Sequence, residues 1–91
     1  SWYRRQRQMC IRDRINYFNN LVPMDNRLYI HTTEGKDDMP AHIKSSITNN
    51  QISLSIKDGK LLLGTWQGIY LFEHRINPQT RTIIHHFLGE T

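Results

Sequence analysis

The sequence predicts an α+β domain in which a curved, mostly antiparallel sheet is accompanied by two helices, and three observations lead there. Asp58-Gly59 lies between two β-rich arms, and Gly59 can take the positive φ that a two-residue hairpin turn needs. Helical spacing occurs twice upstream, over residues 15–22 and after Asp37-Asp38. Gly64 and Gly68 bracket Thr65-Trp66-Gln67 inside the densest apolar stretch, where a glycine in a strand marks a bulge or a close backbone approach and so bends the sheet.

Taken in order, Tyr17, Phe18 and Leu21 suit the end of an amphipathic helix over Ile15 to Val22, which Pro23 closes. Met24 to Arg27 reads as a loop. Leu28 to Thr32 reads as a short extended segment that sets His31 at the mouth of the next loop. Thr33 to Asp38 is turn material, and Asp37 or Asp38 can cap a helix with Pro40 in its first turn. Ile43 and Ile47 then share its buried face, His42 lies on another, and Asn49-Asn50 ends it. From Gln51 to Ile56, Ile52, Leu54 and Ile56 alternate with Ser53 and Ser55, so this arm is expected to bury one face. The arm from Lys60 to Leu63 is apolar through its leucines and is expected to bury both. Ile76 to Thr80 forms a hairpin loop, and Arg81 to Leu88 a strand with Ile83, His85 and Phe87 on one face and Ile84, His86 and Leu88 on the other.

Ninety-one residues make one domain at most, and a chain of this length buries too small a share of its surface to be very stable alone. A net charge of +4 would ordinarily point to nucleic acid, but the charge is not spread over the chain. Arg4, Arg5, Arg7, Arg12 and Arg14, set against Asp13, supply all of it, and residues 15–91 are neutral. Nucleic acid is therefore not expected as a partner. No apolar run reaches the roughly 18 to 20 residues of a membrane span, so no membrane partner is expected either. Cys10 is the sole cysteine, which excludes a disulfide framework and a cysteine metal site and makes a reducing cytoplasm the default location. The sequence contains no Walker or Rossmann glycine loop, no Ser/His/Asp arrangement and no reactive cysteine.

Chemistry concentrates in one place. His31, Glu34, Asp37, Asp38 and His42 crowd imidazoles and carboxylates into twelve residues across a strand end, a loop and a first helical turn. Imidazole with carboxylate suits zinc or another first-row ion, and carboxylate with water suits magnesium, though the spacing is not that of a recognised metal motif. The competing reading has Asp37 and Asp38 complementing the helix dipole, with each histidine a hydrogen-bonder. Glu73 and His74 point to opposite sides of their strand. Glu73 is either a base or ligand near Gln67, or the partner of Arg75 two residues on. Trp66 and Gln67 are either core and bracket, or walls that orient a flat ligand.

Several of these stretches carry a resemblance. Gly59, then Gly64-Thr65-Trp66-Gln67 and the aliphatic residue after Gly68, with Glu34-Gly35, Asp37-Asp38-Met39-Pro40-Ala41-His42-Ile43-Lys44 and Glu73-His74-Arg75, are similar to the YjbQ-like family over about residues 16–91. Gln51 departs from the pattern, which usually has Ser there. The resemblance implies a secondary thiamine-phosphate-synthase-like transferase, acting on a small-molecule substrate as a homotrimer with sites near subunit boundaries. It also implies members about half as long again, so that the chain lacks an N-terminal part bearing further strands and a third site histidine. Under this reading His31 and His42 are metal ligands, for zinc or magnesium. Glu34, Asp38 and Glu73 are candidate catalytic acids or bases, and Trp66, Gln67 and Lys44 bind substrate, with Lys36 or Arg75 as further phosphate partners. The alternative is a non-catalytic metal- or ligand-binding homo-oligomer whose histidines stabilise a subunit contact.

Residues 1–14 are read separately. Met9-Cys10-Ile11-Arg12-Asp13-Arg14 resembles one reading frame of a transposon-end adapter, so residues 1–14 are expected to be foreign and residues 15–91 the C-terminal part of a single YjbQ-like domain. Against this, Ile11, Ile15, Phe18 and Val22 fall at helical spacing, and Arg12-Asp13 sits where family helices carry a similar pair.

Overall fold

Residues 2–21 contain neither glycine nor proline and are rich in arginine and glutamine, which favours helix. In the computed structural model, which describes residues 1–90, they form a single helix α1 (Trp2–Leu21). Residue 91, the last of the expected 15–91 unit, lies outside the described residues. The Ser1 side chain caps α1 by accepting from the Arg4 N–H at 3.3 Å, and the Val22 N–H closes its last turn on the Phe18 carbonyl at 2.9 Å. Pro23 follows and stops it, as the sequence predicts. The helix runs without a break through residue 14, and none of its residues is buried.

The extended segment expected from Leu28 gives way to a 3₁₀ turn, Asn26–Leu28. Asp25 is the cause: its carboxylate accepts from the Arg27 N–H at 3.0 Å and pairs with the Arg27 guanidinium at 2.8 Å, which curls the chain locally. Gly35, at φ +108°, turns the chain into helix α2 (Asp38–Ile47). Asp37 stands at the N-cap without a side-chain cap bond, because its carboxylate is engaged elsewhere, and its carbonyl accepts from the Ala41 N–H at 3.0 Å. The buried face of α2 is not the one predicted. Asp38, Pro40, Ala41 and Lys44 are buried, whereas Ile43 is half-buried and Ile47 exposed. Polar anchors decide this: Lys44 Nζ donates to Asn19 Oδ1 of α1 at 2.7 Å and Asp38 is drawn to Arg75, so the isoleucines turn outward.

The hairpin is where the sequence places it. Asp58 (φ 53°) and Gly59 (φ 74°) both take positive φ, the signature of a type I′ turn. They join β1 (Ile56–Lys57) to β2 (Lys60–Leu61), antiparallel, with Ile56 opposite Leu61 and Lys57 opposite Lys60. One further bond, Leu62 N–H to the Ser55 carbonyl at 2.9 Å, extends the pairing. The sheet ends there among the described residues, and the expected arm from Gln51, the run after Gly68 and the strand Arg81 to Leu88 stay unpaired. A strand needs a neighbour for its N–H and C=O groups, and alternation in one segment does not create one. Exposure follows: Ile84 is 89% and Leu88 90% accessible.

The chain is thus α+β, with a core drawn from Val22, Pro40 and Ala41 where α1 ends and α2 begins. Its accessible surface is 8501 Å². A compact monomer of its 10.9 kDa mass would expose about 5,600 Å². The radius of gyration, 16.7 Å, compares with about 12 Å for a compact domain of 91 residues. Among the described residues no helix is long and apolar enough to cross a membrane.

Candidate functional site

Two adjacent carboxylates at the start of α2, Asp37 and Asp38, are 8% and 4% exposed, and buried acids of this kind require cationic partners. Arg75 serves both. Its Nε lies 3.1 Å from Asp37 Oδ2, its Nη1 donates to Asp38 Oδ1 at 2.6 Å, and its Nη2 donates to the Glu34 carbonyl at 3.4 Å. The Ile76 N–H donates to Asp37 Oδ2 at 2.8 Å, and this bond, with the Arg75 charge, holds the Asp37 carboxyl below its ordinary range. The segment after Phe72 is thereby tied to the first turn of α2, with Asp38 at the centre.

Onto the second oxygen of Asp38 the chain brings both predicted histidines. His31 Nε2 is 3.2 Å and His42 Nε2 3.5 Å from Asp38 Oδ2, His31 from the end of the loop and His42 one turn along α2. Both imidazoles are more than half exposed, while Oδ2 itself is buried and accepts no hydrogen bond from either. Around a tetrahedral zinc at about 2.05 Å, neighbouring ligand atoms stand about 3.3 Å apart. The two edges fit, and so does the chemistry of the donor set. Among the described residues, however, no group of three or more His, Cys, Asp or Glu side chains could by itself hold a metal ion.

The other predicted residues lie outside this cluster. Glu34 contributes its backbone carbonyl to Arg75. Glu73 does not take the Arg75 guanidinium: its carboxylate forms a two-point pair with Arg81, at 2.6 and 2.7 Å, and accepts from the Arg75 N–H at 2.9 Å. The Arg81 bonds push the Glu73 carboxyl down to about 2. Lys44 is 2% exposed, its ammonium on Asn19, and burial lowers its pKa. Burial likewise lowers that of His74, with the charge of Lys44 adding to the effect; its ring packs 4.4 Å from Phe72.

Trp66 and Gln67 belong to a second locality. Gln67 Oε1 accepts from the Gly64 N–H at 2.6 Å and the Gln67 N–H returns to the Gly64 carbonyl at 3.0 Å, so its side chain brackets the turn. A Cβ at Gly64 would stand 3.2 Å from that same Oε1, which is why glycine suits the position. Trp66, 52% exposed, stacks on Tyr3 of α1 at 4.7 Å and meets Trp2 edge-on at 6.1 Å. The Tyr3 hydroxyl donates to the Thr65 carbonyl at 2.7 Å. Beside them a groove of about 340 Å³ runs between Arg14, Leu54, Leu62 and Tyr70.

The structure brings His31 and His42 beside Asp38, as their crowding in the sequence suggests, whereas Arg75 goes to Asp37 and Asp38 and not to Glu73, the one carboxylate the sequence offered it. The signal was present, since two consecutive acids entering a helix that buries its first turn require a cation from elsewhere in the chain.

Comparisons with known proteins span most of the chain. The family profile described as UPF0047 protein YjbQ-like matches residues 4–90. The UPF0047 protein sll1880 of Synechocystis sp. is 53% identical over 74 residues, covering 81% of this chain and 50% of its own length. The UPF0047 protein YjbQ of Salmonella typhimurium is 50% identical over 78 residues, 86% of this chain and 56% of its own. UPF0047 protein MJ1081 of Methanocaldococcus jannaschii is 42% identical over 78 residues, 86% of this chain and 53% of its own. The chain spans about half the length of these curated relatives. No solved structure matches it.

Proposed function

The chain belongs to the UPF0047 YjbQ-like family, and on that footing we propose that it carries part of a divalent-cation site, with His31 and His42 as ligands, in a thiamine-phosphate-synthase-like transferase. The observation that carries the cation reading is the buried, unpartnered Asp38 oxygen with two imidazole nitrogens at 3.2 and 3.5 Å. The transferase reading rests on the likeness of the Gly64-Thr65-Trp66-Gln67 and Asp38 to Lys44 stretches to that family.

A zinc or magnesium ion bound there would take up charge developing on a leaving pyrophosphate. The chain's own groups do the rest. Asp38 sets a negative charge beside both imidazoles, and the Glu34 carboxylate, exposed at the same loop, is free to hold or move a proton. With the Lys44 ammonium committed to Asn19, the exposed Lys36 is the better placed of the two to meet a phosphate. In their separate locality Trp66 keeps for a small heterocyclic substrate only the face that Tyr3 does not cover, and Gln67 its amide nitrogen, since its oxygen is taken by Gly64.

Equilibrium dialysis of the full chain against zinc, cobalt(II) and magnesium tests the ligand assignment. One tightly held equivalent, absent in His42→Ala, is expected; metal retained undiminished by that variant overturns it.

One observation favours the non-catalytic homo-oligomer as a second reading, with a trimer the expected state: the surface excess includes apolar side chains such as Ile30, Leu71, Ile84 and Leu88. Chelation followed by a mass measurement in solution separates the two. Dissociation on metal removal supports a structural cation, and an intact but metal-free oligomer supports the enzyme.

A further inference from the structure

We propose that Arg75 is the positioning residue of this site: its guanidinium holds one oxygen of Asp38 so that the other faces both imidazoles. The inference rests on the cation reading above and adds to it the part of the chain that sets the ligands in place.

A guanidinium is a planar fork whose donors keep fixed mutual directions, so a carboxylate bound to it is fixed in orientation as well as in position. Arg75 is itself held at three edges, by Asp37 Oδ2, Asp38 Oδ1 and the Glu34 carbonyl. Asp37 is in turn fixed by the Ile76 N–H. With Oδ1 taken at 2.6 Å, the second Asp38 oxygen must lie on the far side of the carboxyl group, where His31 and His42 stand. The Asp38 side chain is 6% exposed and that of Arg75 29%, so water competes weakly for the contact. A lysine at position 75 would bring the same charge as a point and would not fix the carboxyl plane.

The test compares the full chain with Arg75→Met and Arg75→Lys. The first readout is the nitrogen NMR shift of the His31 and His42 rings in metal-free protein, which reports their tautomer and hydrogen bonding and which a change in overall stability does not move. The second is the dissociation constant for cobalt(II). In Arg75→Met both ring signals are expected to move and cobalt affinity to fall about 10- to 100-fold, as when groups supporting metal ligands are removed. Arg75→Lys is expected to shift the same signals in the same direction by less.

Unmoved ring signals with wild-type cobalt affinity in a folded Arg75→Met chain overturn the inference. Should Arg75→Met not fold, Arg75→Lys decides: partial shifts support the inference and wild-type signals overturn it. Failure of the wild-type chain to take up cobalt removes the cation reading alone, because the metal-free ring signals still report on Arg75.

Discussion

Replacing Asp38 by asparagine keeps the shape of the side chain and removes its charge, which isolates what the ion pair with Arg75 contributes. The contact is short, 2.6 Å, between side chains 6% and 29% exposed. Surface pairs contribute about 0–1 kcal/mol, and stranding one partner of a fully buried pair costs about 3–5. The present pair falls between, because Arg75 is partly wet and keeps Asp37 at 3.1 Å when Asp38 loses its charge. The expected coupling is that of a hydrogen bond to a charged group, about 1.5–3 kcal/mol. A double-mutant cycle of Asp38→Asn with Arg75→Met, followed by urea unfolding with matched slopes, measures it. Coupling below about 0.5 kcal/mol would place the pair with ordinary surface contacts and refute the reasoning.

Further outcomes follow from the same geometry. Arg81 holds the Glu73 carboxyl at about 2, below its ordinary 4.5, so this pair stabilises the fold fully above pH 4.5 and is lost as pH falls toward 2. In Arg81→Ala an NMR titration should find Glu73 nearer its ordinary range, and an unchanged midpoint would contradict the pairing. Burial lowers the pKa of His74 below its ordinary 6.5, so stability should decline as pH falls from 6.5 toward the folded value. Replacement by phenylalanine should flatten urea midpoints measured across that interval. A Cβ at Gly59 meets no atom within 4 Å, so the cost of Gly59→Ala, about 1–2 kcal/mol, comes from the φ of +74° alone. Loss of the cross-strand contact between Ile56 and Leu61 in proton NMR is the expected sign.

Local chemistry was legible in the sequence wherever a few neighbouring residues decide the outcome. Asp58-Gly59 fixes its own turn because both central dihedrals must be positive, Pro23 ends α1 because it has no N–H to donate, and Asp37-Pro40 starts α2. What failed depends on distant partners. The alternation of Ile83 to Leu88 signals a surface able to pair, yet pairing needs a second strand at the right distance. The Ile43 and Ile47 stripe gave the apolar face of α2, but Lys44 on Asn19 and Asp38 on Arg75 set its rotation. Of the site, the meeting of His31, Asp38 and His42 was readable from their crowding. The exchange by which Arg75 goes to the aspartates and Arg81 to Glu73 was not, since it joins positions 37 and 8 apart in sequence.

The guanidinium clasp also sets an order of assembly. Joining residues 38 and 75 closes a loop of 37 residues, an entropic cost of about 3 kcal/mol before any constant term. The turn at residues 58 and 59 and the first coil of α2 need no such closure and can arise within microseconds. Arg75 therefore reaches the carboxylate last, and any fluctuation that parts the two halves of the chain releases that contact first.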